Sequence, residues 1–332
     1  MNEDLLGVLR CPTSGQRLYL EEPEHRDARI YSGWLVSEDG QHRYPIKNYI
    51  PRFVPESNYA DNFGLQWNKF RQTQLDSYSG HPISANRFWK ATGWKPEDLA
   101  GKWVLDAGCG AGRFAEVALQ SGAKVVALDF SNAVDASFLN LKHHPNLHVV
   151  QGDIYALPFS KFSFSFVYSL GVLQHTPNVA TAFAALPLML DEEGRLCVDF
   201  YEKSWKSALL PKYWLRPFTK RMEKDRLFHH VQRMIPVLLP LSQMIGRIPA
   251  IGAMMKRLLP VADHSGILPL NDQQLHEWAL LDTFDWFSPE YDNPQAPATI
   301  ARWLSEAGLT EIEILKAGHL VGRGRKSVDP RH

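Results

Sequence analysis

A short apolar run ends in a carboxylate and passes directly into three alternating glycines: residues 103–112 read Trp-Val-Leu-Asp-Ala-Gly-Cys-Gly-Ala-Gly. Glycine has no Cβ, so Gly108, Gly110 and Gly112 let the backbone run close to a ligand and take turn conformations closed to other residues. Residues 113–121 then read as a helix stopped by Gly122, and a helix start offers unpaired N–H groups to whatever rests on the loop. Strand, glycine turn and helix in that order form a loop suited to a nucleotide-containing cofactor.

Two further acids sharpen this. Lys124-Val-Val-Ala-Leu-Asp129 is a buried-strand pattern ending in a carboxylate seventeen residues after Gly112, close to where a Rossmann-like unit places the acid that accepts both ribose hydroxyls. Val149-Val-Gln-Gly-Asp153-Ile repeats the arrangement. Asp106, Asp129 and Asp153 are therefore expected along one edge of a parallel sheet, outside the carboxyl ends of its strands. The glycines are spaced G-x-G-x-G, so the dinucleotide fingerprint G-x-G-x-x-G is not matched.

On these residues the chain resembles the class I S-adenosylmethionine-dependent methyltransferases, whose first motif is similar to Leu105-Asp-Ala-Gly-Cys-Gly-Ala-Gly112, over roughly residues 60–320. The resemblance implies S-adenosyl-L-methionine as cofactor, a Rossmann-like doubly wound α/β sheet, a small β-rich N-terminal domain and a helical cap insertion. It also implies a cofactor site: Gly108, Cys109 and Gly110 against the methionine part, with Asp106 and Gly112 of the same motif, Asp129 on the ribose, Phe130 beside the adenine, and Asp153 with Ile154 on the adenine edge. Phe166-Val-Tyr-Ser-Leu170-Gly-Val-Leu-Gln-His175 is similar to the family's fourth motif and the turn after it, which adds Leu170. The family commonly has Phe-Asp where this chain has Phe164-Ser165. Arg87 is expected to grip the methionine carboxylate, because a guanidinium meets a carboxylate in a two-pronged fork.

Alternating patterns place strands near 102–106, 124–129, 147–151, 164–169 and 194–200, which implies parallel strands with helices between them. A helix over 299–307 and a last strand pair from 310 complete the domain. Domain bounds follow as 1–54, 55–100 for an arm over the cofactor, 101–202 for the first part of the core, 203–280 for the cap, and 281–325 for the end of the sheet. The arm opens at Pro55 and Asn58 and carries Tyr59, Phe63, Trp67, Phe70, Phe88 and Trp89.

The first fifty-odd residues resemble a zinc-ribbon-like module in which two C-x-x-C pairs supply thiolates; here Cys11 stands alone, with Ser14, Ser37 and Gly40 at the other places. No metal is expected, and Leu9, Leu18, Leu35, Ile46, Ile50 and Phe53 are expected to form a separate small core. Three cysteines without a close pair fit a reducing cytosol, and the acidic opening Met1-Asn-Glu-Asp lacks the pattern of a signal peptide.

Net charge is zero overall but strongly partitioned. Residues 203–260 hold twelve Lys and Arg against Glu223 and Asp225, about +10, balanced by about −10 elsewhere. Trp205, Lys206, Tyr213, Trp214 and Phe218 open this insertion, and a long apolar stretch broken by Pro236, Pro240, Arg247 and Pro249 follows, expected to form short helices rather than a membrane span. Two readings stand: a lid with a solvated basic face, or a surface that docks on anionic lipid, cytoplasmic and peripheral to the inner face of the membrane. Nucleic-acid binding is disfavoured because the apolar content exceeds what a phosphate-tracking surface needs.

For the chemistry, His175 is expected to act as a general base or to order the loop above the cofactor. Asp285 and Tyr291, in Asp282-Thr-Phe-Asp-Trp-Phe-Ser-Pro-Glu-Tyr-Asp292, are expected on the loop returning from the cap, binding or deprotonating the acceptor. The resulting reading is a methyltransferase acting on a small-molecule or lipid-like acceptor. An rRNA or tRNA base methyltransferase is the alternative, and a cofactor-binding protein without activity is the third.

Overall fold

The computed structural model describes residues 1–55, 61–204 and 211–327, without the side chains of 61–63 and 65. Asn58, Tyr59, Trp205 and Lys206 lie outside the described residues, as does the Phe63 side chain. Strands β1 (Leu18–Arg26), β2 (Arg29–Ser37), β3 (Arg43–Lys47) and β4 (Ile50–Pro51) form a four-stranded antiparallel meander. The main sheet has seven strands, β5 (Trp103–Ala107), β6 (Lys124–Asp129), β7 (Leu147–Gln151), β8 (Phe164–Ser169), β9 (Leu190–Phe200), β10 (Leu309–Ala317) and β11 (His319–Lys326), in the order β10-β11-β9-β8-β5-β6-β7. From β7 to β9 all pairs are parallel, while β11 is antiparallel to both neighbours. This is the α/β fold of class I methyltransferases.

The parallel strands read as unbroken apolar runs because helices cover both faces: β7 is buried at every position and Val125–Leu128 of β6 are buried throughout. Strand order reverses at β5, where the chain goes first to β6 and later back to β8 on its other side, leaving a crevice at the strand ends.

The meander has no core of its own. Leu5, Leu9, Leu18, Leu35 and Ile46 are buried in one cluster with Leu105, Val126 and Val150 of the main sheet, while Ile50 belongs to the cluster on the other face. The chain leaving β4 adds to the sheet edge: Phe53 N donates to Gln151 O at 2.8 Å, and Arg52 bridges to Gln151 and Asp135. A fifty-residue module has too little interior to bury its apolar side alone, so it borrows the sheet's. Cys11 Sγ accepts from Ser14 N at 3.4 Å and lies 3.3 Å from Tyr44 Oη, while Ser37 Oγ donates to Asp39.

The cap departs from expectation in two ways. The helix Lys224–Gly246 runs through Pro236 and Pro240 without stopping. Each mid-helix proline costs about 3 kcal/mol, but Leu227, Phe228, Val231, Ile235 and Leu239 are buried along one stripe, at about 1.5–3 kcal/mol each, and both prolines sit on the exposed side. No helix among the described residues is long and apolar enough to cross a membrane. Second, the returning segment is a loop only from Ser288 on: residues 272–287, Asp285 among them, form the helix Asp272–Phe287, started by a capping box of Asn271 and Gln274, and it packs on Lys224–Gly246 through Ala279, Leu280, Phe284 and Phe287.

Candidate functional site

The glycine loop is fixed by backbone bonds to its neighbour strand. Gly108 N and Cys109 N both donate to Leu128 O, at 2.7 and 2.9 Å, which folds the loop over the end of β6. Gly108 has φ +94°, and a Cβ there would run into the Val172 side chain; one at Gly110 would lie 3.0 Å from Trp67 Nε1. Gly110 N donates to Asp129 Oδ2 at 2.9 Å, and Asp129 Oδ1 accepts from Ser131 N and Oγ at 2.8 and 2.7 Å. Burial raises the Asp129 pKa, with these bonds opposing it.

Above this loop lies a cavity of about 1010 Å³ reaching from the β5–β6–β7 edge to the underside of the cap. Gly108, Cys109, Gly110, Asp129, Phe130, Ile154, Leu170 and Arg87 line it, as expected, and His175 and Asp285 line it further along. Four expected residues do not. Asp106 is only 2% exposed beneath the loop, where burial pushes its carboxyl up to about 8 and the charge of Asp129 adds to the effect. Gly112 is absent from the wall: it caps the helix Arg113–Gln120 at φ +91°, where a Cβ would lie 2.7 Å from Leu141. Asp153 stands one step past the wall, accepting from Tyr155 N at 2.9 Å, while Gly152 and Ile154 on either side face the cavity. Tyr291 contributes its carbonyl, which accepts from Arg216 Nη2 at 2.8 Å and lies 3.0 Å from His175 Nδ1, rather than its phenol. Of the three strand-end carboxylates, then, Asp129 alone meets the cavity.

Arg87 reaches the wall already matched. Its Nη2 is 2.8 Å from Asp199 Oδ2 and 3.1 Å from His319 Nδ1. Burial alone would raise the Asp199 pKa; the Arg87 guanidinium and His319 outweigh it and hold the carboxyl well below the usual range. Ser165, where the resemblance expected an acid, donates to Asp191 Oδ2 at 2.7 Å between β8 and β9 and takes no part in the wall.

Several wall residues were not singled out from the sequence. Gln66 is 1% exposed with its Oε1 lacking a partner among the described residues. Arg113 donates to Gln74 Oε1 at 2.5 Å and Ser84 Oγ at 3.2 Å, and Gln74 Nε2 reaches Asp282 Oδ1 at 3.3 Å. Asp282 Oδ2 in turn is 2.6 Å from His264 Nε2. This chain of contacts ties the helix after the glycine loop, the arm and the cap together across the cavity. Asp282 and Asp285 lie three residues apart on one face of Asp272–Phe287, so helical period carries both to the same wall. Lys212 and Tyr213 enter from the helix Pro211–Thr219, which Arg216 staples down through Asp292, Pro289 O and Tyr291 O.

The cavity fits an adenosyl cofactor on its own terms: a cradle that any side chain at Gly108 would fill, a carboxylate at the β6 end, apolar walls at Phe130, Ile154 and Leu170, and the orphaned Gln66 oxygen. Comparison with known proteins agrees with the geometry. Residues 105–198 match the family model described as "Methyltransferase domain", and that segment is a methyltransferase domain. Over 133 residues the chain is 32% identical to a tRNA U34 carboxymethyltransferase of Pseudoalteromonas translucida, covering 37% of this chain and 41% of the relative. Over 137 residues it is 34% identical to a demethylmenaquinone methyltransferase of Lactococcus lactis, covering 39% of this chain and 52% of the relative. The chain thus spans about half the length of these relatives or less. Among solved structures, magnesium protoporphyrin IX methyltransferase from Synechocystis, with bound SAH, overlays with a TM-score of 0.42 at 16% identity, covering 81% of this chain and 97% of that one.

Proposed function

We propose that the protein transfers a methyl group from S-adenosyl-L-methionine to a small-molecule or lipid-like acceptor, and that it meets this acceptor at an anionic membrane surface. The bound cofactor would supply a methyl on a sulfonium, already activated for transfer. The chain's own work is then placement: Asp129 accepts from the ribose hydroxyls, the backbone from Gly108 to Gly110 lies against the methionine part, and Phe130, Ile154 and Leu170 flank the adenine. Arg87, with Asp199 neutralising its charge, orients the carboxylate end. Asp285 and His175 line the acceptor side, where a proton has to be held or moved.

One observation carries the membrane reading. Of the seventeen exposed large apolar side chains among the described residues, twelve fall between Trp214 and Ile267, including Phe218 at 74% and Val237 at 67% exposure. They recur on helix faces: Trp214, Leu215 and Phe218 on one helix, Val237, Leu241 and Met244 on the next. Exposed apolar surface concentrated in this way marks an interaction site. Lys220, Arg221, Arg226, Arg233, Arg247 and Arg257 are exposed in the same segment. Lys212, Arg216 and Lys256 turn inward instead, so the outward charge is smaller than the composition suggests. Each basic residue near an anionic surface contributes about 1 kcal/mol. Flotation with anionic and neutral liposomes tests this: the protein is expected to float with anionic vesicles and to lose this on charge reversal at Lys220, Arg221 and Lys224. Failure to float, or salt-sensitive retention of RNA in its place, would refute the lipid surface.

A further inference from the structure

Lys212 is the odd cation of the cavity. Its Nζ sits 4.8 Å from the centroid of Tyr201, 4.9 Å from Tyr213 and 6.0 Å from Trp286, within the range at which ring faces attract an ammonium. Among the described residues it has neither a hydrogen bond nor an ion pair. The two other inward cations do: Arg87 meets Asp199 and Arg113 meets Gln74, while Lys316 on the rim is exposed to solvent and pairs with Glu202 at 2.6 Å. Lys90 also lines the cavity but is exposed to solvent. Rings hold the Lys212 ammonium in place without neutralising it, and a desolvated ammonium left so is costly. Burial accordingly lowers its pKa, with Asp292 and Asp285 acting against that.

Asp285 is its counterpart. It lines the same cavity, burial raises its pKa, and it feels the charges of His175 and Lys212 without forming an ion pair with either. A carboxylate inclined to take a proton and an ammonium that lacks an oxygen thus share one space. Around them Tyr201, Tyr213, Trp278, Trp286 and Leu268 make the walls flat and apolar.

We infer that the acceptor carries an acidic hydroxyl on a flat conjugated body, a phenol or enol, whose oxygen lies between Asp285 and Lys212. The O–H bond breaks, its proton goes to the Asp285 carboxylate, and the oxygen keeps the electron pair as an anion paired with the Lys212 ammonium. Charge is conserved, and no co-reactant is needed. This deepens the methyltransferase reading, since an oxyanion is the form in which such a hydroxyl accepts a methyl, but ionisation itself can be watched without transfer.

The probe is 4-nitrophenol, whose phenolate absorbs in the visible while the phenol does not, with 4-nitroanisole as the analogue that cannot ionise. Binding is measured with and without S-adenosylhomocysteine. The wild type is expected to bind 4-nitrophenol and lower its pKa by about one unit, a tenfold gain in phenolate. K212M should remove that shift and K212R restore it; D285N keeps the ammonium but loses the local proton acceptor, so its phenolate band should persist and follow the buffer pH alone, while 4-nitroanisole affinity, which reports an intact pocket, stays within about twofold in all three. A wild type that leaves the probe unbound or neutral, or a K212M that keeps the phenolate band, overturns the inference. Should S-adenosylhomocysteine fail to bind while the phenolate band persists, the cofactor reading falls and the anion site stands.

Discussion

The two halves of the cavity are built by opposite means. On the sheet side the wall is mostly backbone: Gly108, Cys109 and Gly110 are held by Leu128 O and Asp129, and little depends on long side chains. On the cap side the wall is side chains, Lys212, His264, Asp282, Asp285 and the aromatics around them, brought in by helices that start far apart in the chain. A backbone cradle suits a ligand that never changes. A side-chain wall lets the same sheet serve different acceptors, so the first half is expected to be intolerant of any added atom and the second to be tunable.

The sharpest test of that contrast is Gly108→Ala. At φ +94° with Val172 in the way, the new Cβ brings about 1–3 kcal/mol of backbone strain and about 1–3 more from overpacking. Loss of S-adenosylhomocysteine binding by calorimetry is expected, with a lower melting temperature; unimpaired binding would mean the loop is not the cradle. Next is Arg216→Met, which strands the Asp292 carboxylate, whose side chain is only 5% exposed, and frees the Pro289 and Tyr291 carbonyls. Breaking a buried pair costs about 3–5 kcal/mol. Limited proteolysis should then cut within 211–292 while the sheet half stays protected, and uniform cleavage would show that the cap and sheet unfold as one.

A smaller effect is expected from pH. Burial pulls the His264 pKa down, and the bond to Asp282 outweighs it, leaving it above the ordinary 6.5. A raised folded-state pKa makes the contribution of this pair complete below pH about 6.5 and lost as pH rises through the raised value. Protection factors for hydrogen exchange in Asp272–Phe287, taken relative to the base-catalysed intrinsic rate, should therefore fall on the alkaline side in the wild type and be independent of pH in His264→Gln. Smallest of all is Val237→Gln, at a 67% exposed position: stability should move by less than about 0.5 kcal/mol, while flotation with anionic vesicles weakens. A large stability loss there would place Val237 in a packed interface instead.

The same contrast governs what could be read from sequence. Strands β5 to β8 and the glycine loop are local, apolar runs ended by turn residues, and they appear within a residue or so of expectation. Asp129 was legible because strand-end position and spacing alone put it there. Asp106 and Asp153 share that position and still miss the cavity, since which way a side chain points depends on the loop beyond the strand. Lys212, His264 and Gln74 carried no local signal; they matter only because tertiary packing brings them together. In the cap, a buried stripe of five apolar side chains outweighs the helix-breaking tendency of Pro236 and Pro240, and that burial exists only once the cap has packed.

The central claim is that one ligand belongs to the glycine-loop half and another to the cap half. Calorimetric titration of S-adenosylhomocysteine into Asp129→Ala and Lys212→Met tests it directly. Asp129→Ala removes the acceptor for two charge-assisted bonds, about 1.5–3 kcal/mol each, so its affinity is expected to fall more than about a hundredfold. Lys212→Met should bind the same ligand within about twofold of the wild type. Wild-type affinity in Asp129→Ala, or an equal loss in both variants, would contradict the division.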